Sequence, residues 1–120
     1  MDFKPNYPIY LQVADFICEK LLKGEWRNGD KLPALKDLAV TTSVNPNTVI
    51  KALGYLVEHG ILSTQRGVGY FMTDNARAIT LELKRRQFID EVLPDVFASM
   101  DLLGLGLPEL AKIYEDRRQP

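Results

Sequence analysis

The residues with the clearest potential for chemistry lie near the middle of the chain. Asn47 and Lys51 are four residues apart, so on an α-helix they point to the same side, one turn from each other. An asparagine amide pairs with adenine N6 and N7, and a lysine reaches guanine O6 and N7 or a phosphate. Thr48 and Tyr55 share that side and either hydrogen-bond phosphates or are merely solvated. This pattern predicts a helix that reads bases in the major groove of double-stranded DNA.

Strong start and stop signals flank this helix. Asn45 is a typical N-cap residue, and the following proline, Pro46, fits the first helical position. Val44 is placed to pack on Val49 as a hydrophobic staple, and His59 followed by glycine marks the end. Since an N-cap side chain is occupied by an amide of its own first turn, we expect Asn45 to be a cap first and a DNA-backbone contact second.

The side of this helix opposite Asn47 is apolar and is expected to hold it to the rest of the domain. Ile50 flanks this apolar side, and we expect it to pack on the preceding helix rather than touch a thymine methyl group. The apolar side consists of Val49, Ala52, Leu53 and Leu56.

A predicted β-hairpin supplies further candidate contacts. Residues 61–65 and 69–73 have the composition of two strands around a glycine-containing tip. Gly67 allows a tight turn and close approach to DNA, and Arg66 beside it either enters a minor groove, holds a phosphate or only aids solubility. Lys36, earlier in the chain, is a candidate phosphate contact or, equally, a solvated charge.

Two helices are expected before the one that carries Asn47. Pro8 begins a largely buried helix that runs to about residue 23, and Leu32-Pro33 begins a short second helix. Helix, helix, turn, helix and hairpin over residues 1–74 predict a winged helix-turn-helix within a mainly α fold. The polar arc of the first helix consists of Gln12, Asp15, Glu19 and Lys23.

Residues 75–120 are predicted to form a helical dimerisation segment. Apolar residues recur at three- and four-residue spacing from residue 76 to about 103, with a kink or break at Pro94 and a last short helix from Pro108. Two such helices cannot bury their apolar faces alone, so we expect a homodimer rather than an effector pocket. The residues expected at its interface are Ile89, Val92, Leu93, Val96, Phe97, Met100 and Leu103.

The composition argues against several other classes of protein. The single cysteine, Cys18, rules out a disulfide within the chain and is expected to be buried, and the single histidine, His59, gives a zinc site little to build on. No cofactor is expected. The motifs contain neither a paired nucleophile and base nor a phosphate-binding loop, so no enzyme is indicated. Without an apolar stretch that could cross a membrane, the protein is expected to be cytoplasmic.

The charge balance leaves one rival interpretation open. The first 74 residues contain eight basic and eight acidic residues, whereas DNA-binding domains are usually basic. The DNA interpretation therefore depends on where the charges lie. The alternative is a winged helix that contacts a partner protein without sequence-specific DNA binding. The sequence identifies no small-molecule effector.

Taken in order, these motifs resemble the GntR family of bacterial transcription regulators. The Asn-Pro-Asn-Thr motif and the short C-terminal part are similar to its YtrA-like subfamily. This resemblance implies a homodimer that binds a palindromic operator, often as a repressor. The matching segments are residues 8–14, 29–33, 38–39, 44–49, 52–53, 60–62 and 66–69.

The chain departs from the family pattern at three positions. Ala34 stands where the family usually has a serine, which implies a loss of about 1 kcal/mol of helix capping. Lys36 replaces an arginine and cannot reproduce a bidentate contact. Ile50 replaces an arginine or glutamine, which removes one expected DNA contact.

Overall fold

The computed structural model describes residues 5–119 and contains two compact units, one ending at Leu83 and the other beginning at Lys84. The sequence places the end of the winged helix at residue 74. The first unit also includes residues 75–83, because Ala76 and Thr80 are fully buried. Over the described residues, no helix is both long and apolar enough to span a membrane.

The first unit follows the predicted order of helices and strands. Both of the first two helices pack on the third, and the third adjoins the hairpin. This arrangement confirms the mainly helical winged helix-turn-helix. Its elements are α1 (Ile9–Leu22), α2 (Leu35–Thr42), α3 (Pro46–Glu58), β1 (Leu62–Gln65), β2 (Gly69–Met72) and the start of α4 (Ala76–Gln87).

Helix α1 supplies much of the core, and its polar arc is less exposed than the sequence indicates. Gln12 is only 7% exposed. Its Nε2 donates a hydrogen bond of 2.9 Å to the backbone carbonyl of Tyr7, and the Tyr7 hydroxyl donates to Asp15 Oδ2 at 3.0 Å. The segment before α1 therefore folds back over the start of the polar arc. The fully buried apolar residues of α1 are Val13, Ala14, Ile17, Cys18 and Leu21.

Helix α3 starts and ends as its flanking residues predict. Asn45 Oδ1 accepts a hydrogen bond of 2.8 Å from the backbone N–H of Asn47, which satisfies one of the first amides of the helix. Val44 and Val49 are both buried in the core, as a hydrophobic staple requires. After His59, Gly60 takes a φ of +77°, a conformation that favours glycine and ends the helix.

The hairpin is joined to the connection between α1 and α2. Strands β1 and β2 pair antiparallel, with Leu62 opposite Met72 and Gln65 opposite Gly69. The backbone N–H of Met72 donates to the carbonyl of Asp30 at 2.7 Å, and a further isolated bridge joins Lys31 to the second strand. A two-stranded hairpin is marginally stable alone, so this third segment stabilises the wing.

Between residues 84 and 118 the second unit is helical except for a short turn before the last helix. Helix α4 continues through a π-helical segment, Phe88–Val92, into α5, Leu93–Leu103, and α6 spans Leu107–Arg118. The turns of this π-helical segment, which are wider than those of an α-helix, lie just before Pro94. Proline has no N–H to donate to the preceding turn and its ring collides there, so a π-helical segment lets the helix continue.

The predicted interface residues differ in exposure within one chain. Met100 is buried, and Leu93 and Val96 are half-buried. Phe88, which the sequence analysis did not select, is 51% exposed. The second unit thus presents a substantial apolar surface. The exposed members of the predicted set are Ile89, Val92, Phe97 and Leu103.

Candidate nucleic-acid interface

The exposed side of α3 is polar and the buried side is apolar, as the sequence predicts. Asn47 and Lys51 are exposed, and Thr48 and Tyr55 are half-buried. The Asn47 side chain makes no hydrogen bond within residues 5–119, so its amide is available to an incoming partner. The buried residues of α3 are Val49, Ala52, Leu53 and Leu56.

Lys51 leans toward α1. Its Nζ lies 4.2 Å from the centre of the Tyr10 ring, within the range of a cation–π contact. The Tyr10 ring in turn meets the Tyr55 ring edge to face, with centres 6.3 Å apart and planes at 73°. Lys51 and Asn47 therefore share one side of α3, but the Lys51 ammonium is drawn to the border between two helices.

A row of three rings supports this lysine, and we call Tyr10, Tyr55 and His59 the aromatic row. The Tyr55 and His59 rings are 4.3 Å apart, and His59 Nδ1 lies 2.9 Å from the Tyr55 carbonyl oxygen. His59 is thus held at the end of α3, as a helix-capping role predicts. Tyr10 is not among the site residues predicted from the sequence, because it lies outside the predicted polar arc of the first helix. The part of the row that the sequence does indicate is on α3, where Lys51, Tyr55 and His59 follow one another at four-residue spacing and so lie on one side of the helix.

The wing tip presents Arg66 and Gly67 to solvent. Gly67 adopts a φ of +77° in the turn that the backbone hydrogen bond from Val68 N–H to Gln65 O closes at 2.9 Å. A residue with a Cβ is strained at that φ, so glycine suits the turn. The turn leaves the Arg66 guanidinium exposed beside a backbone that a phosphate can approach closely.

The start of α2 lacks a side-chain cap. Ala34 occupies the N-cap position, and its side chain makes no capping hydrogen bond. Lys36, in the first turn, is exposed. Ile50 on α3 is 45% exposed and does not belong to the core cluster, so its predicted packing on α2 stays a prediction. The surface between Lys36 and Asn47 therefore includes apolar as well as charged side chains.

Two of the basic residues at the end of α1 are neutralised locally by ion pairs. On and just after α1, Lys23 pairs with Glu19 at 2.7 Å and Lys20 with Glu25 at 2.9 Å. The hydrogen bond and charge of Lys23 lower the pKa of Glu19, which keeps that carboxylate ionised. In the part of the chain that the structure describes, no ion pair engages the following four cations. They are Lys31, Lys36, Lys51 and Arg66.

These features together define a class of protein. The chain has a helix-turn-helix in which the second helix of the motif, α3, exposes polar side chains. A wing with an exposed arginine follows it. This is the architecture of winged-helix DNA-binding proteins. Among the cations without an ion pair in the described residues, Lys51 lies on α3, Lys36 at the start of α2 and Arg66 on the wing, and these are the elements that approach DNA in this class.

The chain belongs to the GntR family of bacterial regulatory proteins, whose family model matches residues 9–72. It is 39% identical over 108 residues to YhcF of Bacillus subtilis, a helix-turn-helix-type transcriptional regulator, covering 90% of this chain and 88% of the relative. It is 36% identical over 115 residues to the transcriptional repressor YtrA of the same organism, covering 96% and 85%.

A solved structure agrees with this assignment. The GntR family transcriptional regulator from Listeria monocytogenes superposes with a TM-score of 0.77 at 27% identity, covering 95% of this chain and 98% of that one. The protein is therefore a DNA-binding transcriptional regulator with a winged helix-turn-helix, and its family is one of regulators and not of enzymes.

Proposed function

We propose that the protein acts in the bacterial cytoplasm as a homodimeric repressor of transcription that binds a palindromic operator. Residues 1–74 bind DNA and residues 75–120 hold the two copies together. The observation that carries the DNA part is the exposed polar side of α3 beside unpaired cations. The relative YtrA, which most of the chain matches, is named a transcriptional repressor, and this supports the direction of regulation.

The proposed contacts divide into those that read sequence and those that hold the DNA backbone. Asn47 reads a base edge from α3, because its exposed amide has no partner within residues 5–119. Lys51 reaches either a guanine or a phosphate from the same side. Arg66 and Gly67 bring the wing against the duplex, where the arginine enters a minor groove or binds a phosphate. The remaining backbone contacts come from Lys36, Asn45, Thr48 and Tyr55.

The proposed dimer rests on the apolar surface of the second unit. Phe88, Ile89, Val92 and Phe97 are each between 45% and 51% exposed, and single chains in solution rarely leave such clusters uncovered. A second copy of the same helices is the natural occupant, since most soluble oligomers are symmetric homo-oligomers. A two-fold dimer presents two α3 helices, which accounts for a palindromic operator.

Electrophoretic mobility shift tests the proposal. The labelled duplex is the region upstream of the protein's own gene, at low salt, with an unlabelled duplex of scrambled sequence as competitor. We expect retardation that the scrambled competitor does not abolish. Protein that gives no retardation with this duplex, or with any sequence enriched from a random library, would refute sequence-specific binding. Recovery of a stable protein partner without DNA would then favour the protein-interaction alternative.

Mass in solution tests the dimer separately. Light scattering at micromolar protein concentration is expected to give twice the mass of one chain. A single-chain mass in the absence and presence of DNA would contradict the assignment of residues 75–120.

A further inference from the structure

Tyr10 has no role in the function proposed so far, yet its ring faces the charged end of Lys51. The two residues lie on different helices, with the Lys51 Nζ 4.2 Å from the ring centre. Lys51 itself is exposed, and nothing but the ring holds its ammonium group in the part of the chain that the structure describes. We propose that Tyr10 is a positioning residue that holds Lys51 against a DNA phosphate at the edge of the major groove; this inference rests on the proposed DNA binding.

The geometry favours a phosphate over a base for Lys51. In helix-turn-helix proteins the base edges lie beneath the recognition helix, here α3, whereas Tyr10 lies on α1, outside the α2–α3 motif. Tyr10 is in the first turn of α1, so the contact draws the ammonium from the middle of α3 toward a neighbouring helix. Asn47, one turn earlier and without such a tether, is left as the base-reading residue.

Holding the lysine has a physical benefit. A lysine side chain has four rotatable bonds, and fixing them on binding is among the largest entropic costs of any side chain. A cation over a ring face keeps its N–H groups free on the other side, so the contact orders the ammonium without using its donors. The aromatic row supports the ring itself, because Tyr55 meets Tyr10 edge to face and His59 lies against Tyr55 with the two ring planes tilted by 43°.

Four variants separate this role from plain packing. The probe is the duplex that wild-type protein enriches from a random library. Tyr10→Met removes the ring but keeps apolar volume, and is expected to weaken binding about two- to five-fold, the range of an exposed cation–π contact. Tyr10→Phe keeps the ring and is expected to bind as wild type does. In a Lys51→Ala background, adding Tyr10→Met is expected to have no further effect on affinity.

The salt dependence and the enriched sequence distinguish a phosphate from a base. Lys51→Ala is expected to reduce the slope of log affinity against log salt by about 1 and to enrich the same sequence as wild type. A changed preference at one base pair, or losses from Tyr10→Met and Lys51→Ala that simply add, would overturn the inference. A wild-type protein that enriches no sequence would instead count against the proposed function.

A matched control and a DNA-free measurement complete the test. Lys20 lies 5.3 Å from the Phe16 ring on α1 in a contact of the same kind, so Phe16→Leu is expected to leave the salt slope unchanged. In the NMR spectrum of the free protein, the Lys51 side-chain protons near Nζ are expected to be shifted by the Tyr10 ring current and to remain so in Tyr10→Phe. Random-coil shifts in wild type would refute the contact even if Tyr10→Met failed to fold.

Discussion

The two compact units differ in how they treat their apolar residues. In the first unit the large apolar side chains of α1 and α3 converge on one core, where Ile17 and Leu53 are fully buried. In the second unit Phe97 is half exposed and Leu103, also in the predicted interface, is 76% exposed. The first unit thus buries the apolar sides of α1 and α3 within itself, whereas the second leaves apolar residues of its predicted interface accessible to solvent. This difference supports the proposal that two copies associate through the second unit.

The largest expected effect is a core truncation in the first unit. Leu53→Ala is expected to lower the free energy of unfolding by about 2–5 kcal/mol, because it leaves a cavity among fully buried neighbours. Leu102→Ala, the same change on the exposed surface of α5, is expected to stay within about 0.5 kcal/mol of wild type. Urea unfolding followed by circular dichroism measures both. Equal losses from the two variants would remove the distinction between the units.

A charge in the second unit should separate the copies without unfolding either. Phe97→Asp is expected to weaken dimerisation about 30-fold or more, because a buried interface aromatic is worth about 2 kcal/mol or more. Sedimentation gives the dissociation constant, and circular dichroism checks that helix content is retained. Ser99→Asp, at an exposed position outside the predicted interface, serves as control. A Phe97→Asp protein that dimerises normally would place the interface elsewhere.

Only substitutions in the first unit are expected to weaken the contacts with DNA directly. Asn47→Ala is expected to cost about 1–3 kcal/mol on the preferred sequence and to relax the preference at one base pair. Arg66→Ala is expected to weaken binding to most sequences alike and to reduce the salt slope by about 1. Arg118→Ala, an equally exposed arginine on α6, is expected to change neither quantity. Binding titrations over a range of salt, with the enriched pool sequenced for each variant, provide the readout.

The smallest expected effect concerns a buried hydroxyl near the end of the first unit. Thr80 is fully buried, and its Oγ1 has no hydrogen-bond partner in the structure. Thr80→Val is expected to stabilise the protein by about 1 kcal/mol, because it removes an unsatisfied polar atom at constant shape. Thr73→Val is the matched opposite, since Thr73 Oγ1 donates to the Gly60 carbonyl at 2.7 Å. The thermal midpoint of the Thr73→Val protein should be lower than that of wild type, whereas the midpoint of the Thr80→Val protein should be higher.

The features of the fold that the sequence predicted correctly depend on local sequence signals. The start of α3 at Pro46, its cap at Asn45 and its end before Gly60 each depend on residues within one turn of each other. Such features need no knowledge of distant contacts. The same holds for the buried and exposed sides of α3, which follow from helical periodicity.

The features that the sequence did not predict depend on contacts between elements. Gln12 is buried because the backbone of Tyr7 folds back to accept its amide hydrogen bond. Lys51 meets Tyr10 only because α1 packs beside α3. The π-helical segment before Pro94 is one of several ways to accommodate a proline, and periodicity does not choose among them.

Backbone hydrogen bonds tie the base of the wing to the segment before α2 and to the end of α3. The Met72 N–H bonds to Asp30 on one side, and the Thr73 N–H bonds to the carbonyl of Ile61, just after α3, at 3.0 Å on the other. These two bonds hold the base of the wing beside the end of α3. In the proposed DNA complex, a wing held in this way is expected to respond to groove width as well as to base identity.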